Sequence, residues 1–384
     1  MSCRCRPCSP KSRYLTHPPT ILARPYLLLS LLILSLCNTI VPVPAQANER
    51  PTLPGGAYDK PYIQQSGSGT SIGGYIDHEL FWNDNKKTFD QHRFIPFFYS
   101  EVSERIHVLA ELEFEHGGLV KGNGDSDGEI KLEFATLDIH FSEAVNYRAG
   151  VILSPLGLFN LIHDSPLNDL TNRPLLARQI VPTTLSESGM GFFGTIYPSE
   201  ESLLSYEFYT VNGFNSKTAG SIRSGRGSHK TDNNDDKSLV GRLHFSPFLG
   251  LDLGGSLHWG AYDDAGDHNL TIFAVDGLYK WGPLDFIGEF ARATVDGAEE
   301  DSRLGYYGQV GYHFLPGAVK TFPNSIFTAT GRYDYIDLGA AEETRYTFGI
   351  NFRPEETTVL KLDYELYDQD EDSNGLLFSV ASYF

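Results

Sequence analysis

Short segments in which apolar and polar residues alternate recur from residue 71 to the end of the chain. In residues 105–115, for example, Ile106 and Val108 alternate with His107. A period of two residues is that of a β-strand with one apolar face, because successive side chains point to opposite sides of a sheet. About sixteen such segments follow one another, each close to the ~9–11 residues that a tilted strand needs to cross a membrane.

The connections between these segments alternate between short and long. Tight turns at residues 103–104 and 354–355 contrast with acidic, Gly- and Asn-rich loops such as residues 83–90, 117–128 and 215–237. Short turns at one end of the strands and long loops at the other are typical of bacterial outer-membrane barrels.

The face opposite the apolar one carries Arg, Lys, Asp and Glu on many segments. A soluble β-sandwich also alternates, but its outer faces are polar and its two sheets share one apolar core. A ring of about sixteen strands with a charged inner face encloses water instead. The sequence therefore predicts an all-β fold, a transmembrane antiparallel up-and-down β-barrel. In residues 129–141 the alternation changes phase near Phe134, which predicts a β-bulge.

The last ten residues, 375–384, form a period-two segment that ends on an aromatic side chain. Such a strand resembles the C-terminal signature of Gram-negative outer-membrane β-barrel proteins, and the alternative is the last strand of a soluble β-sandwich. The resemblance implies an assembly signal, read by the barrel assembly machinery, at Phe384, Val380 and Phe378. The chain departs from the family pattern at the third position from the end, where Ser382 replaces an aromatic residue.

Residues 1–47 have the organisation of a cleaved secretory signal peptide. Five basic residues and no acidic ones precede or border the apolar run 26–36, and a small-x-small site predicts cleavage before Asn48. The apolar run is too short for a transmembrane helix. We interpret residues 48–69 as an irregular periplasmic lead-in and residues 70–384 as the barrel domain.

Charge and cysteine usage exclude several classes of function. All four cysteines lie in the leader, so the mature chain would have neither disulfides nor thiolate metal sites. The formal net charge of −19 argues against nucleic acid as a partner. Motifs for nucleotides, catalytic serines or HExxH zinc sites are lacking in usable context, and the acidic loop 215–237 lacks the Gly and closing Glu of a Ca²⁺ loop. We predict no enzymatic activity, no cofactor and no metal.

Charged residues of both signs occupy the strand face that we assign to the lumen. Such charges set ion preference and orient dipolar solutes in a pore. The alternative is that they only hydrate the wall and pair with one another. The predicted lumen-wall residues are Arg105, Glu111, Glu113, Asp138, Arg148, Glu207, Arg242, Glu289, Arg332, Arg345, Arg353, Lys361, Asp363 and Glu365.

The longest loop, residues 154–186, is the third long loop in chain order. Its many apolar side chains, Leu156, Phe159 and Leu176 among them, need burial, which the inner wall of a barrel offers. It resembles the constriction loop of sixteen-stranded Gram-negative porins, which folds into the lumen after the fifth strand; the alternative is an external lid or a trimer latch. The resemblance implies a pore constriction formed by His163, Asp164, Asp169, Arg173 and Arg178.

In strand number, loop order, long third loop and C-terminus, residues 48–384 resemble the trimeric porins, the phosphate-selective porin O/P group in particular. This resemblance implies a homotrimeric passive diffusion channel for ions and small hydrophilic solutes in the outer membrane, in contact with lipid and lipopolysaccharide. Phosphate selectivity in that group depends on basic residues along the channel. Because this chain is strongly acidic, the resemblance does not extend to phosphate selectivity. The alternatives are an anion- or phosphate-selective porin, an outer-membrane barrel hydrolase, and a structural or adhesive barrel.

Overall fold

The structure is a computed structural model that describes residues 69–118 and 128–384. The predicted signal peptide, all but the last residue of the lead-in and most of the loop 117–128 lie outside these residues. The strands are β1 (Thr70–Asn83), β2 (Lys87–Ser103), β3 (Ile106–Glu115), β4 (Glu129–His140), β5 (Asn146–Leu153), β6 (Ser186–Ile196), β7 (Leu203–Val211), β8 (Ser238–Phe248), β9 (Leu251–Ala261), β10 (Asn269–Trp281), β11 (Leu284–Val295), β12 (Ser302–Phe314), β13 (Ile326–Asp337), β14 (Glu342–Glu355), β15 (Thr358–Tyr367) and β16 (Gly375–Tyr383).

These sixteen strands form one closed antiparallel barrel in which each strand pairs with its neighbours in sequence. The ring closes where β1 pairs with β16, from Tyr75 opposite Tyr383 to Asn83 opposite Gly375. The predicted fold class is therefore confirmed. Across the described ranges, no helix has both the length and the apolarity to cross a membrane.

The predicted alternation sorts side chains between the two faces of the wall. In β1, Tyr75, Asp77 and Glu79 are buried inside, whereas Ile72 and Ile76 are exposed outside. The same split recurs around the ring, so the outer face is apolar and much of the inner face is charged.

A β-bulge interrupts β4 where the alternation changes phase. Glu111 pairs with Phe134 and the next residue, Leu112, pairs with Leu132, so Glu133 is the extra residue. Both Glu133 and Phe134 are consequently buried on the inner side. A bulge re-aims side chains in this way because the extra residue shifts the period of two by one position.

Three elements differ from the sequence predictions. Residues 83–90 were expected to form a loop, but β1 and β2 extend until only residues 84–86 connect them. Residues 315–325 form a long connection at the otherwise short-turn end. The third long loop, residues 154–185 in the structure, contains the short helix α1 (Leu175–Gln179), which the pattern of the sequence did not predict.

Candidate functional site

The third long loop leaves β5 and is hydrogen-bonded to the inner face of the far wall. The amide of Gly157 donates to Ser256 Oγ of β9 at 2.9 Å, and the amide of Phe159 donates to Glu289 of β11 at 3.1 Å. Further along, the amide of Leu175 donates to Asp334 of β13 at 3.1 Å. These bonds hold the loop across the interior of the barrel.

A second set of anchors comes from β15. The amide of Thr171 donates to Asp363 at 2.6 Å, and Asn172 donates to Glu365 at 2.7 Å. Lys361 Nζ donates to the carbonyl of Ser165 at 2.8 Å. Wall charges thus satisfy backbone and side-chain amide groups of the loop that burial would otherwise leave without partners.

Asn160 ties the two ends of the loop together, a role that the sequence analysis missed. Its side-chain amide donates to the carbonyls of Ser154 and Leu185 at 2.8 and 3.0 Å, and its oxygen accepts from the amide of Leu185 at 2.8 Å. Asn160 has no accessible surface. Asn160 is the one polar side chain in the apolar stretch 155–162, which is the only sequence signal for such a tie.

Thirteen of the fourteen predicted lumen-wall residues point inward, and most of them form ion pairs. Arg148 pairs with Asp138 at 2.7 Å, and Arg345 pairs with both Asp334 and Glu365, at 3.0 and 3.1 Å. The alternative that lumen charges pair with one another therefore describes much of the wall.

Arg105 is the exception among the wall residues and corrects the prediction. It lies in the exposed turn between β2 and β3, where its guanidinium donates to the carbonyls of His140 and Phe141 at 3.3 and 3.0 Å. β3 begins only at Ile106, so the alternation does not extend to this position.

The five residues assigned to the constriction do not meet at one point. His163, Arg173 and Arg178 line a common cavity, Asp164 is buried against β16, and Asp169 forms an ion pair with Arg353 of β14 at 3.0 Å. Burial lowers the pKa of Arg173 to about 10, which still leaves it charged at neutral pH.

The cavity has a volume of about 560 Å³ and lies between the loop and the strands β15, β16, β1, β2 and β3. Charges of both signs line it. The basic residues are Lys86, Arg93, Arg173, Arg178 and Arg223, and the acidic residues are Glu79, Asp90, Glu115 and Glu365. Arg93 forms an ion pair with Glu115 at 3.0 Å. The near balance of charge contrasts with the acidic character of the whole chain.

Arg223 belongs to the fourth long loop, residues 212–237 in the structure. It donates to the carbonyl of Thr183 in the third long loop at 3.0 Å, and Arg226 donates to that of Thr184 at 3.0 Å. Ile222 is fully buried. This loop therefore packs over the third long loop and adds a cation to the cavity.

The opposite half of the interior is filled by apolar side chains. Leu176 and Ile180 of the third long loop and Ile222 of the fourth pack with inward residues of β10 and β11, such as Ile272 and Ala293. The polar cavity is consequently confined to the side of β15 to β3.

The C-terminal residues lie on the outer face, as the phase of β16 predicts. Phe378 and Phe384 are exposed, and Val380 is partly exposed on the same face. The ring of Phe384 stacks on Phe94 of β2 with centroids 5.6 Å apart, and its amide donates to the carbonyl of Gly74 at 2.9 Å. Phe384 therefore adds contacts to β1 and β2 at the place where β1 and β16 close the ring.

Comparison with known proteins establishes the fold. No family model matches the chain. An uncharacterised protein of Aquifex aeolicus is 29% identical over 361 residues, which is 83% of this chain and 80% of that protein.

Solved structures that resemble the chain are outer-membrane proteins. An anion-selective porin of Comamonas acidovorans matches with a TM-score of 0.54 at 12% identity, covering 83% of this chain and all of that one. OmpF of Salmonella typhi, in complex with daunomycin, matches with a TM-score of 0.55 at 11% identity, covering 82% and 97%. A loop-deletion mutant of OmpT from Vibrio cholerae matches with a TM-score of 0.54 at 13% identity, covering 82% and 99%. At these identities the likeness establishes the porin-type barrel fold.

Proposed function

We propose that the chain is a porin, a passive diffusion channel for ions and small hydrophilic solutes across the bacterial outer membrane. The observation that carries this proposal is the cavity of about 560 Å³ between the third long loop and a charged wall, inside a barrel with an apolar outer face. An apolar band outside and a polar interior suit a barrel that spans lipid and encloses water. Fold-level similarity to porins supports the proposal.

The mechanism that fits this cavity is sieving combined with a transverse electric field. Arg173, Arg178 and Arg223 belong to the loops, whereas Glu79 and Glu115 belong to the wall. A solute that passes between them experiences opposite charges on its two sides, which orients dipolar molecules. Because the two signs nearly balance, we expect weak selectivity between cations and anions.

We extend the proposal to location and partners. The chain is exported, inserted by the barrel assembly machinery and held in contact with lipid and lipopolysaccharide, and it functions as a homotrimer. The outward Phe378, Val380 and Phe384 support the insertion step, because they occupy one face of the last strand. The apolar outer face supports contact with lipid.

Planar-bilayer recording of the folded protein in a KCl gradient tests the proposal. We expect stepwise conductance in threes and a small reversal potential. A silent bilayer, with folding verified by circular dichroism and heat-modifiable mobility, would overturn the proposal in favour of a plugged structural or adhesive barrel. A large reversal potential of anionic sign would make the loop arginines an anion site and favour the anion- or phosphate-selective alternative.

One observation favours a second candidate, a barrel hydrolase. Ser205 Oγ lies 3.4 Å from His244 Nδ1, and His244 Nε2 lies 3.0 Å from Asp252 Oδ1. A serine, a histidine and a carboxylate in this order form the constellation of nucleophilic hydrolases. However, Ser205 is buried within β7, paired on both sides by β6 and β8, so its own amide is used by the sheet and cannot stabilise an oxyanion.

A fluorophosphonate probe distinguishes this candidate from the channel. Covalent labelling that is lost in Ser205→Ala would support hydrolase activity. We expect no labelling of the folded barrel and unchanged conductance in Ser205→Ala.

A further inference from the structure

We propose that two histidines and two carboxylates on the wall of the cavity bind one divalent transition-metal ion. These residues are Glu79 of β1, Asp90 and His92 of β2, and His116, which directly follows β3. All four side chains line the cavity beside the third long loop. Metal binding can be measured on the protein without recording a current, so this inference does not rest on the proposed channel function.

The ligand atoms are separated as groups that share one ion are. His116 Nδ1 lies 3.0 Å from Asp90 Oδ1, and His92 Nδ1 lies 3.5 Å from Asp90 Oδ2. The same nitrogen of His92 is 3.8 Å from Glu79 Oε2. Ligands at ~2.0–2.2 Å from a common ion stand roughly 3–4 Å apart. One ligand atom each from Asp90, His92 and His116 all lie within 4.8 Å of one another, so little movement is needed to enclose an ion.

Irregularities of the backbone direct both rings into the cavity. The pairing of β1 with β2 shifts so that two residues, Gln91 and His92, lie opposite the single His78. His92 and the next residue, Arg93, both line the cavity as a result, whereas a regular strand would point only one of them inward. His116 has a φ of 60°, and its amide donates to the carbonyl of His92 at 3.2 Å. The centroids of the two imidazole rings are therefore only 5.7 Å apart.

The charges around His92 favour a cation. Asp77, Glu79 and His92 form a second group in which one ligand atom from each lies within 4.8 Å of the others. Arg93 is the neighbouring cation, and it already pairs with two glutamates of β3 at 3.0 and 3.2 Å. The carboxylates on the β1 side of His92 thus provide negative charge that can compensate a divalent ion.

The site is open enough for an ion to enter from the cavity. The side chain of His116 is nearly half exposed, and that of His92 is 22% exposed. An ion can therefore reach the Nδ1 atom of each ring, which leaves the ring hydrogen on Nε2. Water from the cavity can fill the remaining coordination positions.

The donor set determines the class of metal. Two imidazole nitrogens with carboxylate oxygens suit Zn²⁺ and other divalent first-row ions, whereas Ca²⁺ and Mg²⁺ prefer oxygen ligands alone. The sequence analysis predicted no metal because the ligands come from three strands, which only the pairing of β1, β2 and β3 brings together.

Isothermal titration with Zn²⁺ of the folded, EDTA-treated barrel, purified without a histidine tag, tests the proposal. We expect one equivalent per chain and no displacement by excess Ca²⁺. Asp90→Asn, His92→Gln and His116→Gln should each weaken Zn²⁺ affinity at least ~10-fold, since loss of even an outer partner of a metal site costs about that much. Crystals soaked in Zn²⁺ should show an anomalous peak within bonding distance of both Nδ1 atoms.

His268→Gln is the matched control. The side chain of His268 is 48% exposed, compared with 47% for His116, and its Nδ1 lies 3.3 Å from Asp263 Oδ2. Within the described residues this pair belongs to no group of three possible ligands. Its replacement should leave Zn²⁺ affinity unchanged.

Three results would each overturn the proposal. They are a wild-type barrel that binds no Zn²⁺, ligand variants that bind no more weakly than His268→Gln, and crystals without the anomalous peak between the two rings. The crystal experiment uses the wild-type chain, so it decides the question even where a variant does not fold.

Discussion

At the scale of single residues, the charges inside this barrel anchor the loop as well as line the cavity. Arg345 shows both relationships: it pairs with Asp334 and Glu365 and also donates to the carbonyl of Arg173 in the third long loop at 2.7 Å. Its side chain is fully buried. Such a residue cannot be removed without leaving buried carboxylates uncompensated.

We therefore expect Arg345→Met to destabilise the barrel strongly. Breaking a buried ion pair by removing one partner costs about 3–5 kcal/mol, because the remaining charge stays buried. Guanidinium unfolding of the barrel in liposomes measures the free energy of unfolding. Arg105→Met, at an exposed turn, is the control and should have little effect; equal losses in the two variants would contradict the assignment of Arg345 as an internal anchor.

The balance of charge in the cavity gives a second residue-scale prediction. Arg178→Glu should shift the reversal potential in a KCl gradient toward cation preference, since it converts one of five basic lining residues into an acid. Lys320→Glu makes the same change of charge in the exposed connection 315–325 and should leave the reversal potential unchanged. A shift of similar size in both would mean that surface charge, rather than the cavity, sets selectivity.

The sequence predicted which charged side chains point into the barrel, but it did not predict which of them lie together. Alternation assigns Glu111 and Lys361 to the inner face because it is a local property of each strand. It cannot bring Glu111, Glu133 and His163 together, since their meeting depends on the path of the loop and on one bulge. For the same reason Asn160 and Arg223 escaped notice.

At the scale of elements, the third long loop is the part of the structure that determines the size of the cavity. Deletion of residues 167–172 removes its contacts with β14 and β15, and we expect a larger single-channel conductance as a result. Deletion of residues 316–321, in the exposed connection between β12 and β13, is the control of equal length. Unchanged conductance after the first deletion would mean that ions do not pass beside this loop.

Strand number and order followed directly from the sequence, while strand ends did not. Period-two patterns predicted sixteen strands because each strand has one apolar outer face. The length of the connection between β1 and β2 was overestimated because the two strands stay paired beyond their apolar part. Lys87, for example, still pairs with Trp82. Helix α1 was missed because five residues are too few to establish a period.

At the scale of the whole molecule, closure of the ring depends on the last strand. Phe384→Ala removes the ring that stacks on Phe94 and, by resemblance, part of the assembly signal. We expect several-fold less folded barrel in outer-membrane fractions, measured as the heat-modifiable band, with nearly normal refolding in detergent. Phe348→Ala, an outward aromatic of β14, should not reduce the level. Equal loss of refolding in detergent would indicate a packing role instead of a signal.

The apolar filling of one half of the interior makes the open area inside the barrel independent of the barrel's circumference. Strand number fixes the circumference, whereas Leu176, Ile180 and Ile222 decide how much of the enclosed area stays open. Truncating such a side chain enlarges the passage without altering a single strand pairing. In the proposed channel, point mutations in these side chains could therefore change permeability while the strand pairing and the outer face of the barrel stay the same.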